Sequence, residues 1–410
     1  MKSKKITFIG DLMCEPLLLK AALQQNGQYN FDCVFQHTAN LFLESDYVVA
    51  NLETPLAGFS AGYTNGLFSF NTPDEIVDSM KKVGINIVIT ANNHCLDRGI
   101  DGLQRTLTVL DQKKILHTGT FTPGNRHEAL YFKLGDIKIS LISYTYGTNY
   151  ADNGILLTQE NSDIINLLRP QTERYFKSSG KKASVPMRIF NKAIRFFSEE
   201  KRFHIKKALH MTYNVPHKDD NLNISTMAPY IKRMKDDIKC ARKKSDYVIF
   251  CPHVGGQFNS EPGEITEFIF EKAIEAGCDT IIASHPHVVQ KAVINKGIAC
   301  FYSIGNFSMS PNSVYLLHEN FPEYGLAVNM YFLESGNVNY TFSILKMIEK
   351  KKKPLTVYPV DVLYNIIDDD DERKKLKSDV CRIYSIVTGK RLEDNPIRKE
   401  YELFVYNFED

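Results

Sequence analysis

Ser284-His285-Pro286-His287 places two imidazoles two residues apart, directly after the apolar run Thr280-Ile281-Ile282-Ala283. The run reads as a buried strand, and its end is where α/β proteins carry functional loops. In extended backbone, residues i and i+2 face the same way, so both rings can share one site. Pro286 stiffens the link between them. Two preset imidazoles suit a metal centre; two satisfied loop histidines explain the stretch equally well on its own. Four further strand ends shift that balance. They carry Gly10-Asp11-Leu12-Met13, Asn51-Leu52-Glu53-Thr54, Ala91-Asn92-Asn93-His94-Cys95-Leu96-Asp97 and Pro252-His253-Val254-Gly255-Gly256-Gln257. An Asp, a Glu, an Asn pair and four histidines at successive strand ends are a mixed donor set, suited to Zn, Fe or Mn rather than Ca.

The elements that must hold these residues alternate. Strands are expected at Ile6–Ile9, Tyr47–Ala50 and Ile85–Ile89, and helices at Pro16–Gln25, Pro73–Val83 and Gly102–Lys113. Pro73 at the start and Gly84 after the end of the second helix are the usual asymmetry. Leu130–Leu134 and Ile137–Ser143 read as a hairpin across Gly135-Asp136. Strands at Tyr247–Cys251 and Ala299–Tyr302, a helix at Ile265–Ala276 and a second hairpin at Leu326–Leu333 and Val338–Leu345 follow. This β–α alternation implies a sheet covered by helices.

Residues 150–245 interrupt the pattern. Arg169 to Lys218 holds thirteen Lys/Arg and three acids, a net +10 on a chain whose total is +2. Arg188, Lys192 and Arg195 fall on one helical face, and Ile189, Ala193, Phe196 and Phe197 on another. The stretch is either an inserted helix packed on the catalytic domain with a wet basic face or a contact for an anionic polymer, a phosphate or a membrane surface.

The composition, 43% hydrophobic and 24% charged, is that of a soluble globular protein. Eight scattered cysteines with no CxxC pair argue for reduced thiols and against a disulfide framework or zinc ribbon. Cys14, Cys95 and Cys251 lie near candidate site residues, where packing groups are the simpler reading. The N-terminus carries too few apolar residues for a signal-peptide core, and no run reaches the roughly 18 residues of a membrane span. The expected location is cytoplasmic, at most membrane-peripheral, with no nucleic-acid partner.

Taken in order, GD, NLE, ANNHxxDxG, PHxGG, HPHV and YSIGNF resemble the CapA family of capsule and poly-γ-glutamate synthesis proteins, in the calcineurin-like metallophosphoesterase superfamily. The resemblance runs from about Lys5 to Phe307 and takes in Tyr144-Thr145-Tyr146-Gly147-Thr148-Asn149. It implies an α/β fold, a metallophosphatase-like two-sheet sandwich flanked by helices (α/β/β/α). The expected organisation is a 5–310 domain with the basic insertion at about 150–245, and a 311–410 hairpin and helix extension packed on it. It also implies two divalent metals, Mn, Fe or Zn. Asp11 and His287 would hold the first, Asn93, His253 and His285 the second, and Glu53 would bridge them. His94 would be the general acid, and Asp97 either orients its ring or caps a loop or helix. Asn92, Gln257 and Asn306 are the substrate-binding candidates.

Two departures bear on activity. Met13 stands where superfamily phosphatases have a histidine ligand, and a thioether is a poor donor to hard divalent metals. Gln257 stands where many relatives have Glu, which removes a charge. Two functions therefore stay open. One is a metal-dependent hydrolase of a phosphoester or a cell-surface polymer bond. The other is a non-catalytic polyanion-binding component of a capsule or exopolymer assembly.

Overall fold

The computed structural model describes residues 4–174, 189–190, 192–197, 199–209, 216–350, 354–392 and 395–404. Lys4–Leu12 is β1, Pro16–Ala22 α1, Tyr47–Leu52 β2, Glu75–Lys82 α2, Ile87–Ile89 β3, Gly99–Gln112 α3 and Leu116–Thr118 β4. The first hairpin is β5 (Leu130–Leu134) and β6 (Ile137–Thr145). Helices α4 (Glu199–Ala208) and α5 (Ile224–Lys244) precede β7 (Tyr247–His253). Then come α6 (Glu264–Ala276), β8 (Thr280–Ile282), β9 (Ala292–Asn295) and β10 (Ile298–Phe301). The chain ends in β11 (Tyr324–Phe332), β12 (Val338–Ile348), β13 (Thr356–Pro359), α7 (Val360–Ile366), α8 (Asp370–Thr388) and β14 (Tyr401–Phe404).

Two sheets form. The first has the order β13-β12-β11-β1-β2-β3-β4, with β14 also on β12; the second is β5-β6-β7-β8-β10-β9. Strands β1 to β4 run parallel, as do β6, β7, β8 and β10. The inner faces meet through one apolar cluster that takes Phe8, Val49 and Ile87 from the first sheet and Leu141, Ile249 and Ile282 from the second. Helices cover the outsides. Val77 and Leu110 of α2 and α3 pack on the first sheet, and Ile238 and Ile269 of α5 and α6 on the second. These are the four layers that the family resemblance implied.

The segment after residue 310 supplies β11, which lies antiparallel along β1 from Lys4↔Phe332 to Ile9↔Ala327 and so completes the first sheet. Helix α5 is the regular crossover between the parallel strands β6 and β7, and it buries Met227, Ile231, Met234 and Ile238. Its basic composition hid that apolar stripe. Ile189 and Phe196, expected to pack, are 66% and 81% exposed, while Ile194 is buried. Arg188 lies outside the described residues.

Candidate metal centre

The carboxyl ends of the parallel strands bring the chemistry together. Asp11 closes β1, Glu53 follows β2, Asn93 and His94 follow β3, His253 ends β7, and His285 and His287 follow β8. The two sheets touch at this rim through the short bridge Asp11↔Asn306. Gly10 is required there, because a Cβ would sit 2.0 Å from the Gly305 oxygen.

Two ligand sets result. Glu53, His253 and His285 form one, and Asp11, Glu53 and His287 the other; within each set the donor atoms lie within 4.8 Å of one another, and every member is buried. Glu53 belongs to both. Its Oε1 is 3.4 Å from His253 Nε2 and 3.9 Å from His287 Nε2. Asp11 Oδ2 lies 3.3 Å from His287 Nδ1. His285 Nδ1 faces His253 Nε2 at 3.1 Å, and Asn93 Oδ1 is 2.7 Å from the same nitrogen. The cysteines take no part in either set; all eight are free.

Electrostatics supports a cation site. Two buried carboxylates are costly without compensating positive charge. Burial works against a charge on His287, yet Glu53 and Asp11 outweigh it and raise its pKa to about 9. Burial also opposes the Asp11 charge, but the hydrogen bond and charge of His287 hold its pKa below the usual range. His285 goes the other way. Burial and then its imidazole neighbours push its pKa well below the ordinary value, leaving a neutral ring with a lone pair to offer. Glu53 Oε1 has no hydrogen-bond partner among the described residues although it is buried. A divalent cation would answer each of these demands, so the residues fit a metal.

His94 sits beside the sets. Its Nδ1 meets Asp97 Oδ2 at 2.7 Å, and the same carboxylate oxygen accepts the Phe70 amide at 2.7 Å. Burial lowers the pKa of His94, but the Asp97 charge and hydrogen bond, with Glu53 beyond, raise it overall. Asp97 therefore engages the ring. Aromatic rings wall the pocket: Phe70 is 4.5 Å from His94, Tyr146 4.5 Å from His285 and Phe258 5.9 Å from His287.

The two histidines after β8 converge for a reason other than strand pleat. His285 and His287 have φ of 110° and 57°, so neither is extended. Non-glycine residues hold such angles only where neighbours over-determine them. Here the His285 amide donates to Asp11 Oδ2 at 3.3 Å, and Pro286 O accepts the Phe258 amide at 2.7 Å.

Two substrate-binding candidates are placed as scaffolding. Asn306 is fully buried; its Oδ1 meets His287 Nδ1 at 2.9 Å and its amide donates to His287 O at 2.9 Å and Pro322 O at 3.0 Å. Asn92 is equally buried and donates to Asn51 Oδ1 and Leu52 O while accepting the His94 amide. Neither has a free edge for a substrate. Gln257 is half-buried, and its carbonyl accepts the His217 amide at 3.4 Å. Met13 is buried in the apolar cluster beneath the first sheet.

Sequence reasoning passed over several neighbours. Asn51 Nδ2 reaches Asp11 Oδ1 at 2.7 Å and His253 Nδ1 at 3.2 Å, and Ser284 Oγ holds the same imidazole nitrogen at 3.0 Å. Asn51 stood in the Asn-Leu-Glu segment and could have been read as more than a spacer. Arg169, at the start of the basic stretch, is buried, donates to Tyr146 O at 2.8 Å and stacks on that ring at 5.3 Å. Nothing local in the sequence marked it out.

Fold and site together define an α/β/β/α sandwich with a buried carboxylate–imidazole cluster able to hold metal. The chain belongs to the bacterial capsule synthesis protein (PGA_cap) family, whose model matches residues 5–310. It is 21% identical over 305 residues to the PGA biosynthesis protein CapA of Bacillus subtilis (strain 168), covering 73% of this chain and 62% of that protein. It is 20% identical over 311 residues to the capsule biosynthesis protein CapA of Bacillus anthracis, covering 74% and 59%. The chain thus spans about three fifths of the length of these curated relatives. Among solved structures, TT1561 of Thermus thermophilus covers 82% of this chain and 98% of its own at 10% identity, with a TM-score of 0.35 too low to carry an argument. No described helix is long and apolar enough to cross a membrane.

Proposed function

We propose that this capsule-synthesis family member is a metal-dependent hydrolase of a phosphoester or a bond in an anionic cell-surface polymer such as poly-γ-glutamate. The observation that carries the reading is Glu53, one buried carboxylate shared by two ligand sets, with the His94–Asp97 pair beside it. Asp11, Glu53 and His287 would hold one divalent cation, and Glu53, His253, His285 and Asn93 a second; Mn, Fe or Zn suits the donors. Such metals supply Lewis-acid polarisation and a more acidic water. The protein's own part is proton delivery. Asp97 engages His94 Nδ1, which leaves Nε2 as the atom that can hand a proton to a leaving oxygen. The Asp97 charge and hydrogen bond, which raise the His94 pKa, favour the protonated ring.

His94→Ala tests this. It should keep the fold and most bound metal but lower kcat by roughly 10²–10⁴ on a substrate with a poor leaving group. A nitrophenyl ester, whose leaving group needs no acid, should suffer less. Equal losses on both would remove His94 as the acid.

A second reading, a polyanion-binding component of a capsule assembly without catalysis, is favoured by Met13 in place of a ligand and by the +10 of Arg169–Lys218. Its test replaces Arg188, Lys192 and Arg195 together with Gln and measures poly-γ-glutamate binding at low and high salt. Loss at low salt alone is the expected result for an electrostatic contact. Binding equal to wild type at both would end this reading. A cytoplasmic or membrane-peripheral location belongs to the same proposal, supported by eight unpaired cysteines.

A further inference from the structure

Beside Asn93 and His94 lies a side chain from the Tyr144–Asn149 segment to which no role has been given. Asn149 arrives from the second sheet, four residues past the end of β6, and is the residue before the one-turn helix Tyr150–Asn153. Its backbone is left-handed, φ 51° and ψ 37°. Asparagine tolerates that conformation and is favoured at helix starts because its side chain usually caps them. Here the side chain makes no capping hydrogen bond. The turn is held by other groups. The amides of Asp152 and Asn153 donate to Asn149 O at 2.9 and 3.0 Å, Asn153 Nδ2 donates to Thr148 O at 2.6 Å, and Gln171 Nε2 donates to Thr148 Oγ1 at 2.5 Å.

The freed carboxamide turns to the centre instead. Its Oδ1 accepts from Asn93 Nδ2 at 3.2 Å. Its Nδ2 lies 3.4 Å from His94 Nδ1 and 3.5 Å from His94 Nε2. Near-equal distances to both ring nitrogens place it over the imidazole face, in line with neither. The Asn93 carboxamide has an oxygen end and a nitrogen end of almost the same shape. An acceptor fixed at the nitrogen end leaves the oxygen end facing His253 Nε2, where it stands at 2.7 Å. Outer partners of this kind set ligand orientation and affinity.

We propose that Asn149 is a positioning residue of the centre, which holds the Asn93 oxygen toward the ligand cluster and covers the face of His94. The value for metal affinity rests on the metal-site reading above; the orientation of Asn93 does not. A glycine at 149 keeps the left-handed backbone and removes the carboxamide. An aspartate keeps an acceptor for Asn93 Nδ2.

The experiment compares wild type, Asn149→Gly and Asn149→Asp, with melting temperature as the control for folding. In metal-free protein labelled with ¹⁵N-asparagine, solvent exchange of the Asn93 side-chain amide is followed, its signal assigned by loss in Asn93→Asp. Exchange should speed up in Asn149→Gly and stay near wild type in Asn149→Asp. Titration with Mn²⁺ or Zn²⁺ should show affinity lower by about 10–100-fold in Asn149→Gly and undiminished in Asn149→Asp. Wild-type exchange in Asn149→Gly overturns the proposal. So does equal loss in both variants, which would leave only a backbone role. If wild type binds no metal, the hydrolase reading falls and the Asn93 exchange alone decides this one.

Discussion

On the Asp11 side of Glu53 the donors are two carboxylates and one imidazole; on the other side they are one carboxylate and two imidazoles, with the Asn93 oxygen alongside. His287 and His285 are two residues apart and both buried, yet their charge states are driven in opposite directions. The charges of Asp11 and Glu53 raise the pKa of His287. Burial, with the His253 and His287 rings beyond it, lowers that of His285. Residue type and depth are the same; the difference is which strand ends each ring meets. The oxygen-rich half is the harder of the two, whereas the nitrogen-rich half suits softer divalent ions.

Four substitutions sharpen or break that contrast. Glu53→Gln should have the largest effect, because one carboxylate serves both halves. Metal content by elemental analysis should fall to background, a loss exceeding the roughly 10–100-fold that removing an outer partner costs. Retention of one tightly bound equivalent would show that the halves do not share it. His285→Ala and His287→Ala come next. Each should remove one equivalent and leave the other, and the double variant should remove both. Full metal content in the double variant would end the assignment. Met13→His should act least. An imidazole in the apolar cluster under the first sheet should cost about 1–3 kcal/mol, read as a lower Tm. Any gain in affinity should fall on the Asp11 half. A gain confined to the His253 half would detach Met13 from the first set.

Much of this centre was legible because polar residues directly after apolar runs have no place in a strand core. That logic singled out Asp11, Glu53, Asn93, His94, His253, His285 and His287, which the strand ends bring together. It found the His285–His287 pair for a mistaken reason, since extended pleat was assumed where both residues have positive φ. It did not foresee that the side chains of Asn92 and Asn306 are taken up by buried partners, because their direction is set by tertiary contacts and not by place in a motif. It passed over Asn149, whose residue type is explained equally well by a turn. Helix α5 was masked by its lysines and arginines, which occupy the wet side of a stripe that the crossover buries. The second hairpin was visible as a hairpin; its place beside β1 was not, because pairing across some three hundred residues leaves no local mark.

That last pairing gives the protein a schedule. The strand that carries Asp11 has β2 on one side and β11 on the other, and β11 begins only at Tyr324. Lys5, buried at 1% on β1, finds its carboxylate partner at Glu400. A ribosome extends the chain at about 5–20 residues per second, so β1 waits many seconds for its second neighbour. Until then its edge is open and the centre lacks a rigid floor. Every residue of both ligand sets has been made by His287, yet the pocket cannot close before the last quarter of the chain is delivered. β1 is therefore flanked on both sides only after β11 has been synthesised.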